Sequence, residues 1–206
     1  MYGEEGPVQE RSQETRNRIL QHAVRLFAEK GYEATGVAEI CAASGTSKGA
    51  FYHHFPSKQA MFIALLKDWL QGLDVELGRA LQSSTSVPEG LMAMAGQMKS
   101  VFSAAGGGVQ LFLEFWQQAR RDPEVWKEFI APYRRYQEYF AGIVRRGIDE
   151  GSLRPLDPQV AGQTLVALAV GILVQGVLDP KGAAWDEVTR DAVQMVITGM
   201  SSEVAS

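Results

Sequence analysis

Residues 35–58 read TGVAEICAASGTSKGAFYHHFPSK, and the spacing within them decides the fold. Val37, Ile40, Cys41 and Ser44 recur at i, i+3, i+4 and i+7, which is one face of a short helix. Gly45 breaks that helix, as a residue able to take positive φ does just past a helix end. Ser47 suits the cap of a second short helix, in which Phe51 and Phe55 stand at i and i+4. Opposite those rings lie Gly49, Ala50 and His53, flanked by Tyr52 and His54. Pro56 stops the second helix, and Ser57 caps another from Lys58 onward. The stretch is a helix-turn-helix whose second helix has an apolar back and a small, hydrogen-bonding front.

Working outward, a first helix is predicted from about Ser12 to Lys30, with Ile19, Ala23, Leu26 and Phe27 on its apolar face and Gly31 at its end. Residues 1–11 are polar, carry glycine and proline, and read as a flexible arm. Beyond Lys58 no strand pattern occurs. The helix from Lys58 to about Leu81 buries Phe62, Leu65, Leu66, Trp69, Leu70 and Leu73, and the polar run through Pro88 is a linker. Helices follow over Leu91–Phe102 and Val109–Arg121, separated by Gly106-Gly107-Gly108. Asp122-Pro123 and Asp157-Pro158 each read as a cap followed by a first-turn proline. They open helices reaching to about Glu150 and Leu178, and Trp185–Met200 is the last. The fold class is all-α, about nine helices. Its divisions are an arm (1–11), a three-helix helix-turn-helix domain (12–57) and a larger helical domain (58–206).

Composition fits a soluble globular protein: 206 residues, 46% hydrophobic and 21% charged. The lone cysteine, Cys41, rules out an internal disulfide, suits a reducing cytoplasm, and reads as a small core residue. The first residues lack the apolar stretch of a signal peptide. Net charge is −4, yet Arg11 to Lys58 holds seven bases against four acids, a net of +3. A basic third on an acidic body is the charge distribution expected of a nucleic-acid reader.

The chain resembles the TetR-type transcriptional regulators. The likeness rests on TRNRILQHAVRLFAEKGYEAT (residues 15–35) and on the helix-turn-helix through Lys58. Further on, FWQQARRDPEVW and GIDEGSLRPLDP are similar to the C-terminal domain of a large subgroup, some of whose members answer to acyl-chain or choline-type molecules. The resemblance implies a homodimer on double-stranded DNA with a palindromic operator. Lys48, Gly49 and Ala50 then fall at base-edge and groove contacts, and Tyr52, His54 and Lys58 at phosphates. Thr46, Ser47 and His53 complete the contact surface. The chemistry agrees, because lysine reaches guanine O6 and N7, alanine touches a thymine methyl, and glycine admits close backbone approach. Gly36 replaces the usual capping threonine and Ala38 a common arginine, so a phosphate contact and a base contact are missing.

Other readings of these residues fare worse. Gly45-Thr46-Ser47-Lys48-Gly49 matches the G-x-S-x-G pattern but follows a helix, and no histidine lies far beyond it. Adjacent His53 and His54 diverge around a helix and have no carboxylate or thiol beside them, so no metal is expected. No cofactor motif occurs, and paired catalytic groups are absent from the body.

The body is rich in aromatic residues and methionine. Trp69, Met98, Phe102, Phe112, Phe115, Trp116, Trp126, Tyr133 and Tyr136 are expected to share duty between core and an apolar effector pocket, with Gln163 and Glu114 as its polar groups. A small lipophilic effector is expected, and aromatic faces would also suit a quaternary ammonium. The run Leu165–Val174 is ten residues long before Gln175, too short to cross a bilayer. Small residues including Gly162 and Gly171 admit a close helix, for which a second copy is the natural cover. Leu165, Leu168, Gly171, Ile172, Gln175, Val193, Val196 and Ile197 are the expected dimer contacts. The expected function is a ligand-released transcriptional repressor, the alternative being an all-helical carrier of lipids or small molecules.

Overall fold

The computed structural model describes the backbone of residues 7–104 and 108–202, and the side chains of 9–97 and 113–202. Among them are nine α-helices and no strand beyond an isolated Leu153–Ser201 bridge. The helices are α1 (Pro7–Lys30), α2 (Val37–Ser44), α3 (Lys48–His54), α4 (Lys58–Gln82), α5 (Val87–Ala104), α6 (Gly108–Ala119), α7 (Pro123–Asp149), α8 (Pro158–Leu178) and α9 (Trp185–Met200). The first helix begins at Pro7 rather than Ser12, so Pro7–Arg11, expected in the arm, are helical. Proline lacks an N–H and has a fixed φ, which suit it to a first turn. Residues 1–6 of the expected arm lie outside the described residues.

Local chemistry sets the other boundaries. At the end of α2, Gly45 takes φ +61°; its N–H donates to Ala42 O, and that of Thr46 to Cys41 O at 2.9 Å. This is a Schellman closure. Asp122 caps α7 by accepting from Glu124 N at 2.8 Å, and Asp157 caps α8 by accepting from Gln159 N at 2.8 Å. Proline follows each.

Two cores result. The head core joins Ile19, Ala23 and Phe27 of α1 to Ile40, Phe51, Phe55, and Met61, Phe62, Leu65 and Leu66 of α4, with Phe115 of α6 among them. The body core joins Leu77 and Ala80 of α4 to Leu91, Met94, Ile143, Val144, Leu153, Ala161, Leu165, Ile197 and Met200. Helix α4 thus runs through both.

Helices α7 and α8 pack backbone to backbone: a Cβ on Gly162 would lie 2.7 Å from Ala141 N and Gln137 O. The close approach that Gly162 permits is therefore made within the chain. The apolar segment also proves longer than Leu165–Val174. All 21 residues of α8 form one helix, long and apolar enough to cross a membrane by length and composition, with a third of its most apolar window buried against the rest of the chain.

Candidate nucleic-acid interface

The reading head is built from its back outward. Phe51 is fully buried and Phe55 nearly so, their ring centroids 5.8 Å apart. Ser47 Oγ accepts from Ala50 N at 3.1 Å and starts α3. Ser44 Oγ lies 2.8 Å from Thr46 Oγ1, which turns that hydroxyl inward, and Thr46 is half-buried. With α3 fixed in this way, Lys48, Gly49, Tyr52 and His53 are exposed on it, and Ala50 and His54 are half-buried. Gly36 caps α2 without a side-chain hydrogen bond, and Ala38 beside it is exposed.

Electrostatics narrows the set of available cations. Arg16 pairs with Asp68 at 3.1 Å, and Lys30 pairs with Glu39. Lys48 enters none of the ion pairs among the described residues. His54 is held below its usual value by partial burial, and further by the charges of His53 and Arg16. The two histidine rings meet edge-on at 5.2 Å, and among the described residues no cluster of three metal-ligating groups occurs.

Lys58 departs from expectation. Its Nζ turns away from solvent and donates to Tyr32 O at 2.8 Å and Thr35 O at 3.1 Å, lying 4.1 Å from the centre of the Tyr32 ring. Two carbonyls and an aromatic face outcompete an outward pose. Glu114, expected in the pocket, also serves the head: its Oε2 accepts from Tyr32 N at 2.9 Å. Beside it Gln118 donates to Glu33 at 3.2 Å, and Gln59 donates to Asp122 at 2.8 Å. These head-to-body ties have no local sequence signal, because their partners lie 63 to 85 positions apart.

The described members of the expected pocket set take different environments. Phe115 is buried in the head core, whereas Trp116 and Trp126 are 46% and 44% exposed and Gln163 faces solvent. Trp69 packs against the head core and Tyr133 is half-buried. The side chains of Met98, Phe102 and Phe112 lie outside the described residues. Tyr136 lines a cleft of about 200 Å³ between α4 and α7 with Asp74, Leu77, Gly78, Arg135 and Tyr139. Its hydroxyl donates to Asp74 at 2.7 Å, and Arg135 pairs with the same carboxylate at 2.9 Å.

On the outer face, Leu165, Ile172 and Ile197 are buried within the chain, and Val193 and Val196 pack on the body core. The first three are used up inside the chain, and Val193 and Val196 are half-buried. Leu168, Gly171 and Gln175 remain accessible, joined by residues the sequence reading passed over: Val160 (57% exposed), Leu178 (75%) and Met195 (75%). Positions 160, 164, 168, 171, 175 and 178 follow one another at helical spacing, a stripe that could have been read from the sequence.

Comparison with known proteins agrees with this geometry. The model of the tetR family of bacterial regulatory proteins matches residues 19–65, and that of the C-terminal part of BetI-type transcriptional repressors matches residues 105–198. The chain is 30% identical over 142 residues to the HTH-type transcriptional repressor KstR2 of Mycolicibacterium smegmatis, covering 68% of each chain. Its fold matches a transcriptional regulator from Saccharomonospora viridis solved with choline, at a TM-score of 0.81 and 23% identity over 93% of this chain and 100% of that one. It also matches FadR from Bacillus subtilis, solved with stearoyl-CoA, at a TM-score of 0.80 and 19% identity over 89% and 98%. With its helix-turn-helix inside the first matched segment, and α7, α8 and most of α9 inside the second, the chain belongs to the TetR family of transcriptional regulators.

Proposed function

We propose that the protein is a homodimeric repressor that reads a palindromic operator through α3 and releases it when a small lipophilic effector binds the body. The observation that carries this reading is the front of α3. Lys48, Gly49, Tyr52 and His53 are exposed together there, over a back of buried Phe51 and Phe55. Lys48 supplies a base-edge donor, Ala50 a methyl contact and Tyr52 a phosphate-facing hydroxyl. The stripe on α8, together with exposed Met195 of α9, supports a second copy as its cover rather than a bilayer, and the cytoplasm as the place of action.

The effector's presence shifts the population toward a head spacing that no longer fits the operator. The cleft between α4 and α7 supports this, since α4 leads from Asp74 directly to Lys58 at the reading head. Two tyrosine faces and Leu77 offer apolar contact there, while Asp74 and Arg135 would orient a polar end. The family's liganded structures, one with choline and one with stearoyl-CoA, bracket the ligand chemistry.

The test is selection of duplexes from a random-sequence pool by the full-length protein, paired with native mass spectrometry of protein as purified. A palindrome with half-site centres about 34–36 Å apart is expected, together with a dimer mass and any retained apolar ligand. Lys48→Ala should weaken binding to the selected duplex by about 1–3 kcal/mol and relax its specificity. Equal binding by that variant, or a monomer mass throughout, counts against the reading.

A further inference from the structure

The loop between α1 and α2 is held from two sides by residues remote from the front of α3. After α1 ends, Gly31 takes φ +81° and the chain passes through Tyr32 to Thr35 before α2 starts. The Tyr32 N–H donates to Glu114 of α6, and the carbonyls of Tyr32 and Thr35 accept from Lys58 of α4. The Tyr32 ring is packed 4.5 Å from Phe62 and 5.4 Å from Phe27, and Thr35 is fully buried. Lys58 begins the helix that follows α3, so its ammonium joins the exit of α3 to the entrance of α2.

We infer that Lys58 and Glu114 are positioning residues, which set the angle of the reading helix by clamping Tyr32, and that Lys58 holds no DNA phosphate. An ammonium has three hydrogens. Two serve carbonyls, and the charge lies against a ring. Reaching a phosphate would strand the carbonyl of fully buried Thr35, would leave the Tyr32 carbonyl with only the Thr35 N–H, and would cut the polar tie from α4 to the loop. Glu114 lies on α6 of the body, so its bond to Tyr32 indexes the head to α6. The inference rests on the DNA-binding reading above, but one of its two measurements needs no DNA.

The experiment uses full-length Lys58→Met, Glu114→Gln and Lys48→Met beside the parent protein. Hydrogen exchange of the free proteins is the first readout. Lys58→Met and Glu114→Gln should each speed exchange of the Tyr32–Thr35 and α3 amides by about tenfold, whereas Lys48→Met leaves them unchanged. The second readout is the salt dependence of binding to the duplex that the parent protein selects. A lysine that holds a phosphate contributes about 0.9 to the slope of log affinity on log salt, or about 1.8 per dimer. Lys58→Met should keep the parental slope and bind about tenfold more weakly at every salt concentration.

A slope lowered by about 1.8 in Lys58→Met overturns the inference, as does unchanged exchange. If Lys58→Met does not fold, Lys58→Gln takes its place in both readouts, and Glu114→Gln still decides by exchange whether the clamp orders α3. If the parent protein selects no duplex, the DNA reading falls, and the exchange measurement still decides whether the clamp orders α3.

Discussion

Phe115 of α6 lies 3.9 Å from Phe62 of α4, ring centroid to ring centroid, with the ring planes 32° apart. Phe62 meets Phe27 edge-on at 5.4 Å, so a helix of the body supplies a ring to the core of the reading head. Head and body are joined by packing as well as by the polar ties around Tyr32. A displacement of α6 or α4 therefore reaches the core behind α3 without crossing a flexible linker.

Phe115→Ala tests that continuity. Phe115 is 1% exposed, and truncating a ring so buried costs about 3–5 kcal/mol. Urea unfolding followed by tryptophan fluorescence and by circular dichroism should give one coincident transition, shifted by that amount. A loss below about 1 kcal/mol would mean that the ring is not part of a shared core.

Gly162 and Gly171 lie on the same helix and should respond oppositely. A methyl on Gly162 meets the α7 backbone at 2.7 Å, so Gly162→Ala is expected to destabilise the chain by about 1–3 kcal/mol. Gly171 has open space around its Cβ position, so Gly171→Arg should fold as before and sediment as a monomer. If Gly171→Arg still sediments as a dimer, α8 is not the interface.

His54 provides a pH dependence whose sign is fixed. Burial, then His53 and Arg16, hold its folded value below 6.5, so at a given acidic pH the unfolded chain takes up the proton more readily than the folded one. Stability contributed by the neutral ring is complete above 6.5 and declines as pH falls through 6.5 toward the lower folded value. Thermal melts at about pH 7.5 and about pH 5.5 should differ less for His54→Gln than for the parent protein. An equal difference in both proteins would rule out this residue as the source.

Tyr136 carries the opposite signature at alkaline pH. Burial first, then its hydrogen bond to Asp74, pushes its ionisation well above 10. The unfolded chain ionises near 10 while the folded chain stays neutral, so the stability from this group is present below 10 and lost as pH rises beyond it. Tyr136→Phe should cost about 0.5–1.5 kcal/mol near neutrality and flatten the alkaline loss. The urea midpoint, with an unchanged slope, is the measurement.

Much of this was legible in the sequence because the signals were local. Gly45, Ser47, Ser57, Asp122 and Asp157 each act within a few positions of themselves, and each sits where spacing predicts. Phe51 and Phe55 show the back of α3 by their separation alone. Lys58 was not legible in this way: its partners, Tyr32 and Thr35, lie 26 and 23 positions upstream and are backbone carbonyls, which any residue supplies. Phe115 and Trp116 are neighbours in an apolar helix, and only the docking of α6 on α1 and α4 decides that one is core and the other surface. Helix α8 is apolar nearly all round, so periodicity did not separate the residues facing α7 from those facing outward. Leu165 and Leu178 look alike until α7 and α9 are in place.

The two cores also close at different moments of synthesis. The buried members of the head core end at Phe115, whereas those of the body core extend to Ile197 and Met200. At about 5–20 residues per second, that interval lasts about 4–17 s on the ribosome. Throughout it Leu91 and Met94 of α5 lack α9, the last helix that packs on α5. A nascent chain thus has the core behind α3 within reach before α9 exists to close the body.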